Sequence, residues 1–224
     1  AGKSVPITVD TIAYYNRTAA PDGLVANWDY ASLNLLGDEV LGERFIDYSK
    51  FGCIYAALQK NLGPAGTAIV VIREDLLGHA SPETPVLLNY EQCAKDNSLT
   101  NTANTFAIYV TGLVLDWLQE QGGVAAIEKV NEQKAKTLYD VIDAGDYYRG
   151  VIQAEFRGTM NVSFNLPSEE LEAKFLKEAG ALGLYALKGH RSVGGIRASI
   201  YNAMPLAGVE ALAGFMQEFE SKNG

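Results

Sequence analysis

The sequence predicts the end of an α/β domain followed by a smaller α+β domain. In the first half, short apolar runs bounded by glycine and proline alternate with stretches of helical period. The second half then runs through helix, two strands, helix, strand and helix, an order typical of an α+β unit. A long apolar segment stops at Gly122-Gly123, which is a helix-ending signal. We therefore predict one domain over residues 1–121 and a second over residues 122–224.

The elements follow from these periods. Apolar runs predict strands at residues 7–9, 24–28, 53–57, 67–72, 151–156, 160–166 and 195–201. Helices are predicted at 101–121, at 124–144, from Pro167 and from Pro205. The first of these is apolar almost all round, so it is expected to be buried on several sides, with Asn101 or Thr102 as its cap.

Charge and composition narrow the function. The 224-residue chain has a net charge of -9 and a pI of about 4.8, which argues against binding to nucleic acid. We expect no membrane segment and no signal peptide. Cys53 and Cys93 are not spaced as metal ligands. We therefore predict that both are reduced thiols and that the protein is cytoplasmic. His79 has no partner at such spacing, so no metal site is predicted and His79 is interpreted as an exposed loop residue.

A lysine follows the strand predicted at 53–57. Lys60 lies where that strand ends, and Gly63-Pro64-Ala65-Gly66 turns the chain into the next strand. A lysine that forms a Schiff base needs such a rigid support and open space in front of its amine. Spacing alone favours an ordinary solvated loop lysine, so both interpretations stay open at this point.

A basic cluster lies near the end of this acidic chain. Residues 188–197 hold four side chains that can carry positive charge: Lys188, His190, Arg191 and Arg197. The planar fork of arginine suits carboxylate and phosphate groups. The cluster predicts a site for a dianion, and the alternative is a solvated loop with a structural arginine.

These segments carry a resemblance to a known family. Residues 51–66, Phe-Gly-Cys-Ile-Tyr-Ala-Ala-Leu-Gln-Lys-Asn-Leu-Gly-Pro-Ala-Gly, resemble the cofactor-lysine segment of the phosphoserine aminotransferase family, which are class V aminotransferases. The likeness continues through Ile72-Arg73-Glu74-Asp75-Leu76-Leu77-Gly78 and extends over residues 44–224. It implies the C-terminal part of a fold-type-I aminotransferase large domain followed by the small domain.

The resemblance also implies roles around the cofactor, pyridoxal 5'-phosphate. Lys60 would form the Schiff base and carry the proton, and Gln59 would lie at the cofactor phosphate. Residues 98–102, Ser-Leu-Thr-Asn-Thr, resemble the segment whose Asn and Thr reach the cofactor phosphate of a neighbouring subunit. Asn101 and Thr102 are therefore expected to act across the interface of a homodimer.

The same resemblance assigns the basic cluster to substrate. His190 and Arg191 would hold a substrate phosphate, and Arg197 would pair with the α-carboxylate. The implied reaction exchanges an amino group between O-phospho-L-serine and 2-oxoglutarate, with glutamate as product, in serine biosynthesis. A related reaction uses 4-phospho-hydroxy-threonine in pyridoxine biosynthesis.

Upstream of residue 44 the likeness is weaker. The family aspartate beneath the pyridine nitrogen has its nearest counterpart in Asp29, although an ordinary strand-end aspartate fits equally well. Thr18, in Asn16-Arg17-Thr18, is the candidate for a threonine that touches the cofactor. The sequence contains no counterpart of the family's N-terminal Gly-rich phosphate loop. The alternative function is thus a truncated, non-catalytic dimerisation or binding module.

Overall fold

The structure is a computed structural model that describes residues 4–8, 51–191 and 193–224. It divides into two compact units, Ala1–Ile127 and Glu128–Gly224. The sequence placed the boundary slightly earlier, between residues 121 and 122. In the structure the division falls inside a helix.

Unit 1 contains a three-stranded antiparallel sheet. Its strands are β1 (Ser4–Thr8), β2 (Cys53–Ala57) and β3 (Ala68–Arg73), and β3 lies between the other two. In the register of β2 with β3, Tyr55 lies opposite Val70. The turn between these two strands carries Lys60.

The strands predicted at 53–57 and 67–72 are confirmed, the second displaced by one residue. The prediction at 7–9 overlaps the end of β1, and the one at 24–28 lies outside the described residues. β3 is buried on both faces, which explains its continuous apolar run. Ile69 and Val71 pack against helix residues Leu115 and Leu118, whereas Val70 and Ile72 pack against Cys93.

The helices of unit 1 follow the sheet. After short 3-10 turns at Glu74–Leu76 and Val86–Leu88 come α1 (Tyr90–Lys95), α2 (Thr105–Glu120) and the start of α3 (Val124–Ile142). No helix in the described part of the chain combines the length and the apolar character needed to cross a bilayer.

The cap predicted for the long helix is wrong. Asn104 caps α2, and its Oδ1 accepts a hydrogen bond from the Ala107 amide at 3.1 Å. Asn101 and Thr102 lie before the helix begins, and the Asn101 side chain instead donates to the Thr102 carbonyl. Asn104 has the same amide side chain as Asn101 and directly precedes the apolar period of the helix, so Asn104 is the N-cap residue.

The expected burial of α2 on several sides is also wrong for the described structure. One face is buried, and its residues recur at helical spacing: Ala107, Thr111, Leu115 and Leu118. Elsewhere on the helix Phe106, Tyr109 and Leu113 expose 70%, 65% and 50% of their surface. These three residues, spaced by three and four, are called the α2 apolar stripe below.

Unit 2 contains a second antiparallel sheet, in the order β4 (Arg149–Gly150), β5 (Asn161–Asn165) and β6 (Ile196–Ser199). α3, α4 (Glu169–Ala181) and α5 (Leu206–Asn223) contribute to its core. The predicted helix starts at Pro167 and Pro205 are confirmed, with Ser168 and Pro205 as the capping residues.

The core of unit 2 is built around aromatic rings. Phe175 of α4 is in edge or tilted contact with four others: Tyr148, Phe164, Phe215 and Phe219. Such pairs add to the stabilisation from apolar burial. This core holds the helices and the sheet of unit 2 together.

The strand predicted at 151–156 is wrong. The ladder ends after Val151, whose amide donates to the Ser163 carbonyl at 3.2 Å, and residues Ala154–Phe156 form a 3-10 turn. Arg157 redirects the chain, because its guanidinium binds the Asp143 carboxylate and its Nε donates to the Ile152 carbonyl. The apolar run predicts a strand, but it does not reveal that the side chain of the following Arg157 binds residues earlier in the chain.

Lys134 lies in the middle of α3 with no exposed surface. Its Nζ donates to the carbonyls of Ile200, Tyr201 and Met204 at 3.0, 2.8 and 3.2 Å. Burial lowers the pKa of Lys134 to about 8, because leaving water disfavours the charged amine.

We predict a proton linkage at Lys134. The unfolded lysine keeps its proton up to a pKa of about 10.5, whereas the folded lysine releases it near 8. The unfolded chain therefore binds more protons between these values, and the free energy of unfolding rises with pH across that window. At a pH of about 9.3, unfolding of the wild type should take up about 0.9 protons more than unfolding of K134M. Equal uptake by both proteins would contradict the lowered pKa.

Candidate functional site

The loop that carries Lys60 is closed by backbone hydrogen bonds. The Leu58 carbonyl accepts from the amides of Leu62 and Gly63 at 3.1 and 2.8 Å, and the Leu58 amide donates to the Thr67 carbonyl at 3.0 Å. Leu58 and Leu62 are buried in the core of unit 1. Their burial ties the loop to the sheet, while Lys60 is exposed at its tip.

Lys60 has an unusual backbone conformation. Its φ is 98°, a region that favours glycine and that few other residues adopt. Such conformations cost free energy and persist where the surrounding structure holds them, often at functional sites. The closed loop fixes the position from which the Lys60 amine extends.

The glycines of this loop have separate roles. A Cβ on Gly63 would lie 2.5 Å from Thr111 Oγ1, so Gly63 permits close contact with the buried face of α2. Gly66 has a φ of 100° and turns the chain into β3. The sequence predicted both uses for the Gly63–Gly66 turn without assigning one to each residue.

The predicted cofactor-phosphate residues are exposed. Gln59 pairs with Gly63 in an isolated bridge beside Lys60, and its side chain faces solvent. Asn101 and Thr102 are exposed in the segment before α2. Their roles stay predictions, and Asp29 and Thr18 lie outside the described residues.

The basic cluster forms a narrow loop, here called the arginine loop (residues 188–196). Lys188 pairs with Ile196, and the Gly189 amide donates to the Gly195 carbonyl at 2.8 Å. The His190 carbonyl accepts from the amides of residues 193 and 194, both at 2.8 Å. These bonds place the exposed His190 and Arg191 on one tight turn.

Two glycines allow close backbone approach at the base of the arginine loop. A Cβ on Gly189 would overlap the carbonyl oxygen of Gly194. Gly195 has a φ of 66°, and a Cβ there would lie 2.8 Å from the Phe164 carbonyl oxygen. The sequence indicated close approach at Gly194-Gly195 and missed Gly189. The sequence pattern that could have predicted this role for Gly189 is a glycine on each side of His190 and Arg191.

Arg197 lies on β6, opposite Ser163 of β5. Its amide donates to the Leu187 carbonyl at 2.7 Å, which fixes the backbone at this point. The side chain is half-buried, and its Nε is buried without a hydrogen-bond partner among the described residues. A buried donor left without a partner is costly, so a ligand that accepts its hydrogen bond would be favoured.

The remaining histidine and the two cysteines lie outside the Lys60 loop and the arginine loop. His79 is exposed, and its Nε2 lies 3.1 Å from the Asp75 carbonyl oxygen, as expected for a loop histidine. Cys53 is exposed and Cys93 is buried, and both are free thiols. The Lys60 loop and the arginine loop are thus the main candidates.

Comparison with known proteins gives the class. Residues 39–212 match the aminotransferase class-V family, and the chain belongs to that family. Its fold is that of the fold-type-I aminotransferases, which confirms the predicted class.

Individual relatives are more specific. The chain is 53% identical to the phosphoserine aminotransferase of Bacillus cereus over 84% of its own length and 52% of that protein. The phosphoserine aminotransferase structure from Bacillus circulans subsp. alkalophilus matches with a TM-score of 0.79 and 45% identity, covering 82% of this chain and 51% of the other. The pyridoxal-phosphate-bound enzyme from Trichomonas vaginalis matches with a TM-score of 0.75 and 38% identity, over 81% and 52%. The chain spans about half the length of the relatives it matches.

Proposed function

We propose that this chain takes part in pyridoxal-phosphate-dependent transamination between O-phospho-L-serine and 2-oxoglutarate. The observation that carries the proposal is Lys60, an exposed lysine at φ 98° on a closed loop after a strand. Its setting suits a lysine whose amine must be presented at a fixed point. The similarity to phosphoserine aminotransferases over 84% of the chain supports the same reaction.

The described residues of unit 1 fit the cofactor. Lys60 offers an exposed amine that can bond to the cofactor aldehyde, and the polar side chains of Gln59, Asn101 and Thr102 are exposed for its phosphate. When bound, pyridoxal phosphate supplies an electron-withdrawing ring that stabilises charge at the substrate Cα. The Lys60 amine would take the proton from Cα and return it during the exchange.

The arginine loop of unit 2, together with Arg197 on β6, suits a substrate with two anionic groups. The Arg197 fork would bind the α-carboxylate, which would give its buried Nε a hydrogen-bond acceptor. His190 and Arg191, exposed on the loop, would bind the phosphate. 2-Oxoglutarate, with a carboxylate at each end, presents two anions as well. The same chemistry extends the proposal to 4-phospho-hydroxy-threonine in pyridoxine biosynthesis.

The proposal includes a homodimer in the cytoplasm. The α2 apolar stripe exposes three large side chains, and Leu99 is also exposed shortly before that helix. Exposed apolar groups of this kind mark surfaces that other proteins cover. A second copy would cover them and place Asn101 and Thr102 near its cofactor. The two free thiols support a reducing compartment.

The two arginines are predicted to separate the ends of the substrate. In the full chain supplied with cofactor and 2-oxoglutarate, Arg197→Ala should raise KM for phosphoserine and for serine alike, each by about 30-fold, from loss of a charged hydrogen-bonded contact. Arg191→Ala should raise KM by a similar factor for phosphoserine only. Glutamate formation measures both effects.

Arg149→Ala provides the control, because Arg149 is exposed on β4, outside the arginine loop. Equal losses for the two substrates in Arg191→Ala would refute the phosphate assignment. A wild-type chain that forms no glutamate would contradict the proposed reaction. The half-length match would then favour the alternative, a non-catalytic dimerisation or binding module.

A further inference from the structure

Lys134 is a buried charged group to which the proposed function gives no role. Its side chain has no exposed surface, and all three of its N–H bonds can be used by the carbonyls of Ile200, Tyr201 and Met204. The three distances lie between 2.8 and 3.2 Å, so each is an ordinary hydrogen bond. The amine therefore draws three carbonyls of one short segment to a single point.

An apolar side chain could fill the same volume but could not do this. A buried ammonium is unfavourable unless its hydrogen bonds are satisfied, and here backbone carbonyls satisfy them. One helical turn earlier, Asn131 donates from Nδ2 to Asn202 Oδ1 at 2.9 Å. α3 thus holds the segment 200–204 at two levels, from two residues on one face of the helix.

The segment held by Lys134 directly follows β6. The Ile200 amide donates to the Met160 carbonyl at 2.9 Å, and three residues earlier the Arg197 amide donates to the Leu187 carbonyl at 2.7 Å. The Arg197 Nε has no hydrogen-bond partner among the described residues that could hold the guanidinium in place. The position of the guanidinium therefore depends largely on the backbone of β6, from which the side chain extends. Anchoring the end of β6 therefore anchors Arg197.

We propose that Lys134 is a positioning residue for the substrate carboxylate, acting by fixing the end of the strand that carries Arg197. The functional half of this inference rests on the proposed role of Arg197. The anchoring half rests only on the contacts of Lys134 and can be tested without any ligand.

The first test is amide hydrogen exchange in the full chain. K134M has a similar length and no N–H donors, and K136M is the matched control, because Lys136 is exposed two residues along the same helix. In K134M the amides of Arg197 and Ile200 should exchange on the order of tenfold faster than in the wild type. K136M should leave both rates unchanged. Unchanged rates in K134M would overturn the inference.

The second test is ligand binding measured by calorimetry with two probes. K134M should raise the dissociation constant for phosphoserine on the order of tenfold and leave that for inorganic phosphate unchanged, because only phosphoserine carries the carboxylate. A merely structural role would weaken both probes, and equal losses would overturn the positioning role. If the wild type binds neither probe, the proposed function fails, while the exchange rates still decide whether Lys134 anchors β6. Should K134M not fold, K134Q, which keeps N–H donors on a shorter side chain, carries the same comparisons.

Discussion

Replacing Lys60 by alanine is expected to abolish the absorbance band that lysine-bound pyridoxal phosphate gives near the visible edge. The amine of Lys60 is the group that would join the cofactor covalently, and its loop has the fixed backbone that this bond requires. Without that bond only non-covalent contacts remain, so cofactor affinity should fall on the order of a hundredfold. A titration of the 224-residue chain with cofactor measures the band and the affinity together.

Lys95→Ala is the matched control for this experiment. Lys95 is also an exposed lysine of unit 1, and it lies on α1, where it forms an ion pair with Glu91. An exposed pair of this kind contributes little to stability, so its loss should leave the fold intact. The control should therefore keep the band. A wild-type chain without the band, or an unchanged band in Lys60→Ala, would refute the assignment.

The sequence located this lysine but not its conformation. A strand followed by lysine and a Gly-Pro turn predicted an amine on a rigid support, and the loop has that form. Lys60, with its positive φ, lies inside the turn whose two amides converge on the Leu58 carbonyl. No local propensity indicates this, because lysine itself disfavours the region. Strain that tertiary contacts impose appears only when those contacts are known.

The errors in secondary structure have a related cause. Asn101, Thr102 and Asn104 all have side chains that can cap a helix, and only the start of the buried face on α2 selects Asn104. Burial of α2 was overestimated because an apolar residue does not reveal which neighbour covers it. The exposed stripe that results is informative in its own right, since neighbouring exposed apolar side chains mark surfaces that other proteins cover.

For the arginine loop, the sequence predicted the functional residues but not the backbone contact that shapes the loop. Its cationic residues were evident from composition, and the structure places His190 and Arg191 on one turn. The requirement for Gly189 depends on two backbone segments meeting, which a linear reading does not reveal.

Gly189→Ala is expected to disrupt the arginine loop. The added Cβ would overlap the Gly194 carbonyl oxygen, so the two backbone segments must move apart, which strains the bond from the Gly189 amide to the Gly195 carbonyl. Forced overpacking of this kind costs about 3 kcal/mol, which the chain can avoid by opening the loop. His190 and Arg191 would then no longer share one turn. Binding of phosphoserine, measured by calorimetry, should weaken on the order of a hundredfold.

Gly180→Ala separates this effect from a general loss of stability. Gly180 lies in α4 of the same unit, and a Cβ there meets no atom within 4 Å. Alanine is the better helix former, so this variant should be more stable by up to about 1 kcal/mol and bind phosphoserine as the wild type does. Thermal unfolding should show that Gly189→Ala remains folded when its affinity is measured. If that folded variant binds phosphoserine normally, the turn that holds His190 and Arg191 is not the phosphate site, because the substitution forces the two backbone segments of this turn apart.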